Sequence, residues 1–249
     1  MILDHILEAT ADRVALLPDS FPTCTFGKPR SLSQAIRSVV RSNAIIGELK
    51  FFSPLKGVLR EPADPSGLAQ DLIQGGCVAL SVLTEPAFFR GSPDMLTKIR
   101  QSSPVPVLRK DFIIDEKQVY ETRAMGADAI LLIARILGDD LQSLVTLSRE
   151  LGIEPVVEVH TPREVDNALS TEASLVGINN RNLDTMEVDL SITEHLAPLC
   201  IGVTRISMSG ITTPTDLFRV KGLCDAFLIG SALMKSADPK HTMEGFVSA

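Results

Sequence analysis

Tryptophan does not occur in this chain of 249 residues, and tyrosine occurs once, at position 120. The protein is therefore nearly dark in the window where tryptophan fluoresces. Cysteine is scarce: Cys24, Cys77, Cys200 and Cys224 never fall in C-x-x-C spacing, and each sits in or beside an apolar segment. Buried free thiols are expected, not a metal or redox site. His5, His160, His195 and His241 are scattered without zinc-ligand spacing, so no metal is expected. Basic clusters longer than a residue or two do not occur, and the formal charge is −7. Nucleic acid is thus not an expected partner. Charge or glycine interrupts every apolar run before it reaches a membrane span of ~20 residues. The opening MILDHILEATADRV carries early acids and has neither the basic flank nor the cleavage site of a secretory signal. The cytoplasm is the expected compartment. No Gly/Ser linker or low-complexity segment divides the chain, which favours a single domain.

What is present is a soluble, globular composition, 45% hydrophobic and 22% charged. The length suits two small domains or one α/β barrel. Short runs rich in Val, Ile and Leu recur near residues 44–50, 78–84, 104–109, 127–133, 155–159, 174–179, 202–207 and 225–230. Most are apolar throughout, as parallel strands buried on both faces should be. Helical patterns separate them. Leu141, Leu144, Leu147 and Leu151 share one helical face. HTPREVDNAL and TTPTDLFRVKGL each open with Thr and Pro, a cap followed by a first-turn proline. The second stops at Gly222, and DEKQVYETRAMGAD stops near Gly126. Eight strands alternating with helices predict a (β/α)8 TIM barrel over residues 44–249. Residues 1–43 read as an N-terminal helical extension of two helices covering the barrel. An open doubly wound sheet is the alternative. It would normally carry a G-x-G-x-x-G turn after its first strand, where this chain has KFFSPLKG.

In such a barrel, chemistry belongs at the C-terminal ends of the strands. In AIIGELKFFSPLKG, Ile46, Glu48 and Lys50 share one strand face, which turns from apolar to ionic. The third strand ends in Arg109, Lys110 and Asp111, the fifth in Glu158, and the sixth in Asn179, Asn180 and Arg181. Either Glu48 or Lys50 alone would pass for a structural ion pair, and a lone lysine for a solvated loop residue. Glu158 between Val157 and Val159 is harder to dismiss, because an unpaired carboxylate inside a sheet is costly. Convergence of two acids, two lysines and an asparagine on four strands favours a site. The seventh and eighth strands end in Ser209-Gly210 and Gly230-Ser231. These are ordinary tight turns, or turns whose backbone N–H groups face an anion. The loops after these two strands are the recurrent phosphate site of this fold, so a phosphorylated small molecule is expected.

GELKFFSPLKG, SVLTEPAFFRGS, VLRKDFIID, VVEVH, VGINNRNL, SGI and FLIGSALM resemble, in order and spacing, the indole-3-glycerol phosphate synthase family of tryptophan biosynthesis. The resemblance covers residues 44–235, and the N-terminal helices resemble that family's extension. It implies closure of an indole ring on 1-(2-carboxyphenylamino)-1-deoxyribulose 5-phosphate, with loss of carbon dioxide and water and no cofactor. It further implies Lys110 as general acid, Glu158 as general base, and Lys50 as holder of the substrate carboxylate with a share in the acid work. Glu48 and Asn179 would orient hydroxyls and lysines. Ser53, Arg181 and Ser209 would contact substrate, Phe89 and Leu183 would wall the aromatic ring, and Gly210, Gly230 and Ser231 would hold the phosphate. A monomer is expected on the same ground.

The chain departs from the family's pattern at Met208, where that family usually has Glu. Methionine matches glutamate in length but carries no charge. The departure implies an altered pH dependence, or else a diverged phosphate-binding barrel that acts on a related ligand or only binds it. A sister isomerase would need a Cys and an Asp at strand ends, which this chain does not supply. Phe51 and Phe52 are expected to narrow the lid over the aryl group. The short final segment, DPKHTMEGFVSA, leaves the barrel's last closure open.

Overall fold

The computed structural model describes residues 2–22, 26–61 and 63–249. Eight parallel strands run in chain order: β1 (Ile45–Leu49), β2 (Ala79–Leu83), β3 (Val107–Lys110), β4 (Ala129–Ile133), β5 (Glu154–Val159), β6 (Leu175–Asn179), β7 (Thr204–Met208) and β8 (Ala226–Ile229). Each falls within a few residues of its predicted run. β8 pairs back onto β1, with Ile46 opposite Leu228, so the sheet closes and exposes no edge. The fold is a (β/α)8 barrel.

Strand register sorts the side chains. Ile46 and Glu48 of β1 pair with Ala79 and Ser81 of β2 and face inward. Leu108, Ala129, Val156, Leu175, Ile206 and Ala226 continue the same apolar interior around the barrel. The alternate residues, such as Ile45, Leu49, Val107, Val157 and Ile178, face the surrounding helices and join a separate outer core. Both faces of each strand are thus buried, which is why the strands read as unbroken apolar runs. The interior is apolar at mid-barrel and turns ionic toward its C-terminal rim.

The local helix signals act as expected. Thr161 accepts from the Glu164 N–H and caps helix Pro162–Leu169. Thr213 and Asp216 cap each other reciprocally at the start of helix Pro214–Val220. Helix Leu141–Glu150 buries Leu141 and Leu144 against the outer core, with Leu147 and Leu151 packed at its margin. The last helix, Pro239–Ser248, buries Met243 and Phe246, and Asn43 Nδ2 donates to Phe246 O and Ala249 O just before β1. The short C-terminal segment therefore does close the barrel.

The two helices of the extension cover opposite ends of the barrel. Helix Leu32–Arg37 plugs the N-terminal end, with Leu32 and Ile36 joining the inner core. The Ser31 hydroxyl, the Ser33 N–H and the Ser33 hydroxyl all donate to Glu154, the first residue of β5, at 2.7, 2.7 and 2.9 Å. Helix Ile2–Ala15 lies across the C-terminal mouth and brings Leu3 and Ile6 to the same inner core. Arg13 holds it there with two hydrogen bonds to Asp111, at 2.9 and 2.8 Å.

The loop after β1 contains a small unpredicted hairpin, Phe52–Ser53 against Gly57–Val58. Its tight turn sets Gly57 at φ +64°. The expected lid phenylalanines are elsewhere: Phe51 is buried in the outer core, and Phe52 lies beneath the Arg90 guanidinium, 4.2 Å from ring centre to Cζ. A strand's alternation points Phe51 away from the face of Lys50, and the arginine occupies Phe52.

Cys77, Cys200 and Cys224 are buried free thiols. Burial pushes Cys77 and Cys224 up to about 12 and Cys200 to about 11, out of the reactive range. Cys24 lies outside the described residues. Among the described residues no helix is long and apolar enough to cross a membrane, and no three His, Cys, Asp or Glu are grouped to hold a metal.

Candidate active site

The C-terminal rim opens into a cleft of about 910 Å³, including its mouth, that continues into a second lobe of about 690 Å³. The first lobe is mainly apolar. Phe89, Phe112, Leu131, Ile133 and Leu183 line it, and Ile2, Leu3 and Ile6 of the N-terminal helix roof it. The second lobe is built from small and polar residues: Ser209, Gly210, Thr212, Gly230 and Ser231. Glu48, Lys50, Lys56, Lys110, Glu158, Asn179 and Arg181 border both lobes. Of the strand-end residues singled out in the sequence, all but Arg109 and Asn180 line one lobe or the other, and so do Ser53, Phe89 and Leu183.

Two ion pairs stand at the junction. Lys50 Nζ lies 2.6 Å from Glu48 Oε2, and Lys110 Nζ lies 3.7 Å from Glu158 Oε2. Burial by itself would push the Glu48 carboxyl up. Lys50 and Lys110, a hydrogen bond from Lys50, and Arg181 outweigh that and hold it below the ordinary carboxylate range. Glu158 Oε1 accepts from Asn179 Nδ2 at 2.7 Å. Its Oε2 is buried, accepts no hydrogen bond, and faces Lys110 from beyond hydrogen-bond reach. One oxygen is thus fixed and the other is open for chemistry. Asn179 is itself fixed: its Oδ1 accepts from the Arg181 N–H at 3.0 Å.

Burial lowers the pKa of Arg181, with Glu48 opposing, and the Arg181 Nη1 donates to Met186 O at 2.7 Å. Burial also lowers Lys56, together with the charges of Lys235, Arg181 and Lys50. The lobe junction is therefore locally cationic in a net-acidic protein.

The loops hold these groups by backbone means. The Glu85 carboxylate accepts from the N–H groups of Ala87, Phe88 and Phe89 at 2.8, 2.8 and 2.9 Å, which fixes the turn that presents Phe89. Phe89 and Phe112 meet at 6.0 Å between ring centroids. A Cβ at Gly230 would press on the Glu48 side chain, so glycine there leaves room for that carboxylate. Ser209 and Met186, both lining the apolar lobe, are non-glycine residues with φ of +64° and +63°. Such backbone strain persists at sites that over-determine it. Asn180 does not face the cleft. It pins the loop after β7 through donations to Met208 O and Ser209 O and accepts from Thr193.

Sequence reasoning did not mark Lys56, Thr212 or the lining role of Leu55, Ile2, Leu3 and Ile6. Lys56 and Leu55 sit in a hairpin turn where strand alternation gives no direction. The helix residues show an apolar face, but not which surface it meets.

A closed parallel barrel whose C-terminal rim gathers two lysines and two carboxylates between an apolar and a polar lobe is a (β/α)8-barrel enzyme. Solved structures of that fold match at low identity. A 3-hexulose-6-phosphate synthase aligns with a TM-score of 0.67 and 13% identity over 82% of this chain and 97% of its own. The tryptophan synthase alpha chain of Legionella pneumophila aligns with a TM-score of 0.61 and 13% identity over 86% and 93%. The family is decided by sequence. The family model for indole-3-glycerol phosphate synthase matches residues 5–246. The indole-3-glycerol phosphate synthase of Carboxydothermus hydrogenoformans is 38% identical over 98% of both chains. That of Pyrococcus furiosus is 41% identical over 88% of this chain and 97% of its own. The chain belongs to the indole-3-glycerol phosphate synthase family, carboxy-lyases of tryptophan biosynthesis.

Proposed function

We propose that this chain closes the indole ring of 1-(2-carboxyphenylamino)-1-deoxyribulose 5-phosphate, releasing carbon dioxide and water. The observation that carries this is the Lys110–Glu158 pair at 3.7 Å, an acid and a base on one wall between a lobe suited to an aryl group and a lobe suited to a phosphate. Such a site holds a folded substrate by both ends, so that ring closure is intramolecular in effect.

The aryl carbon attacks the ribulose carbonyl while the Lys110 ammonium gives its proton to the carbonyl oxygen. The carboxylate, held by Lys50, leaves as carbon dioxide and restores the aromatic ring. The new hydroxyl takes a second proton from a lysine and leaves as water, as Glu158 removes a proton from the ring being formed. Glu48 keeps Lys50 in place, and Asn179 keeps Glu158 in place. Phe89 and Leu183 wall the aryl group, Ser53, Arg181 and Ser209 contact substrate, and Gly210, Gly230 and Ser231 take the phosphate. No cofactor is required. We place the enzyme in the cytoplasm, as a monomer in which extension and barrel act as one unit.

The test is optical. With no Trp and one Tyr in the chain, indole emission should rise from a dark background when the purified protein meets the substrate. Lys110→Met should lower the rate by roughly 10²–10⁴, the usual worth of one acid or base. The apolar Met208 beside the lysines favours a second reading, a diverged barrel that binds a related ligand. Wild-type protein that binds the substrate yet never fluoresces would select it.

A further inference from the structure

Behind Glu158 lies a small cavity of about 240 Å³, open space included, that shares Ile133, Glu158, Asn179 and Leu183 with the first lobe of the cleft. Glu158, Asn179, His160, Glu164 and Arg135 supply its polar lining. Glu158 therefore borders the substrate cleft on one side and this cavity on the other. Arg135 and Glu164 in turn border an outer recess of about 980 Å³, lined also by Thr161, Arg163 and Asn167. The three spaces form a series from the base to the protein surface.

His160 stands in the middle of the series, and its chemistry is defined. Its Nδ1 lies 2.7 Å from Asn179 O. A carbonyl oxygen only accepts, so Nδ1 carries a hydrogen and donates. Nε2 is thus the ring nitrogen left to take up and hand on a proton. The charged groups around the ring are Glu158, Arg135, which is paired to Asp184 at 2.7 Å, and Glu164, which accepts from the His160 N–H at 2.7 Å.

The reaction needs a proton from solvent. This inference rests on the proposed ring closure, whose charge balance is fixed by its chemistry. The substrate carries a phosphate dianion and a carboxylate, the product only the phosphate, and carbon dioxide and water leave neutral. Each turnover gives two protons to oxygen and recovers one through Glu158. One proton must therefore enter from solvent. The N-terminal helix, through Ile2, Leu3 and Ile6, and the loop after β1, through Ser53, Leu55 and Lys56, line the front of the cleft, which the proposed substrate would occupy.

We propose that the cavity behind Glu158 is a proton-entry path and that His160 is its relay. Imidazolium Nε2–H gives its proton to a water in the cavity. That water passes one to Glu158, which passes it to Lys110. The broken bond is Nε2–H and the bond formed is Lys110 Nζ–H. Nδ1–H stays on Asn179 O throughout, and bulk solvent reprotonates Nε2. The cavity has room for one water, to which Glu158, His160 and Glu164 offer polar partners.

The test compares His160→Gln with the wild type, after indole formation by the wild type has been measured. A silent wild type refutes the ring closure itself, before the relay is examined. Glutamine offers an N–H to Asn179 O but carries no proton to deliver. At low buffer concentration kcat should fall by about 10², the lower end of an acid–base contribution, with KM unchanged. Added imidazole buffer should restore the rate in a concentration-dependent way, while the wild type stays insensitive. Full activity at every buffer concentration would overturn the relay. A lowered rate that imidazole does not restore would also overturn it, leaving His160 only a support for Asn179. Should His160→Gln not fold, Arg135→Phe walls the cavity off from the outer recess with His160 intact. It should slow kcat without rescue, and wild-type turnover by that variant refutes the path.

Discussion

Met208 is the single residue on which most depends, because it fixes the charge of the site. Its side chain is buried, pairs across the sheet with Asn179, and lies over Gly177, whose missing Cβ would be 2.5 Å from the Met208 Cε. Glutamate fits that same space. Met208→Glu would add a carboxylate to the lobe that already contains Lys50 and Lys110. A neighbouring negative charge favours the ammonium form and raises a lysine's pKa. The alkaline limb of kcat, where the acid loses its proton, should therefore move to higher pH by roughly one unit. Rate profiles of the two proteins check this, and superimposable profiles and rates would refute it. The acid limb should not follow Glu48, since its lysine partners keep it ionised below the usual carboxylate range. The polar residues of the site were legible in sequence because strand alternation assigns a face to Glu48, Lys110, Glu158 and Asn179. The same rule gives no direction in a turn, so Lys56 escaped notice although it borders both lobes.

At the scale of elements, the junction between helix Ile2–Ala15 and β3 is built on buried charge. Asp111 accepts from Arg13 and from Thr84 Oγ1 at 2.6 Å, and lies 3.0 Å from the fully buried Arg109 guanidinium. Burial alone would raise the Asp111 carboxyl, but Arg109, Arg13 and Thr84 together lower it. A depressed folded pKa stabilises the fold above the unfolded value near ~3.9. That contribution is lost as pH falls through the depressed folded value. Asp111→Asn leaves Arg109 buried with Glu121 as its remaining carboxylate, at 2.6 Å. It should cost about 3 kcal/mol at neutral pH, the lower end for breaking a buried pair. The gap between variant and wild type should narrow in acid. Denaturant unfolding at pH 7 and pH 3 measures both, and a loss below ~1 kcal/mol at pH 7 would contradict a charge-dependent junction. Helix starts at Thr161 and Thr213 were legible because a cap is a local event. Which end of the barrel each N-terminal helix covers was not, because Ser31–Glu154 and Arg13–Asp111 join residues about a hundred positions apart.

At the scale of the whole molecule, a net charge of −7 surrounds a cleft that gathers Lys50, Lys56, Lys110 and Arg181 against Glu48 and Glu158. The barrel itself was legible because all eight strands are buried on both faces, but this inversion of charge was not. It arises only when four separate loops and strand ends meet at one rim. The trianionic substrate proposed above would be repelled by the bulk of the surface and drawn in by the mouth. Capture should therefore depend on ionic strength more than chemistry does. Between ~0.01 M and ~1 M salt the Debye length falls from ~30 Å to ~3 Å. The mouth's cations are then screened from an approaching substrate, and kcat/KM should fall by roughly tenfold. The Lys50–Glu48 pair is at 2.6 Å and the Lys110–Glu158 pair at 3.7 Å, distances that salt screens poorly, so kcat should move little. Lys56→Ala removes the exposed cation of the group and should flatten the salt dependence of kcat/KM while sparing most of kcat. Steady-state fluorescence assays over that salt range measure both constants. A kcat/KM that is flat with salt, or a kcat that falls in step with it, would show that local positive charge does not govern substrate capture.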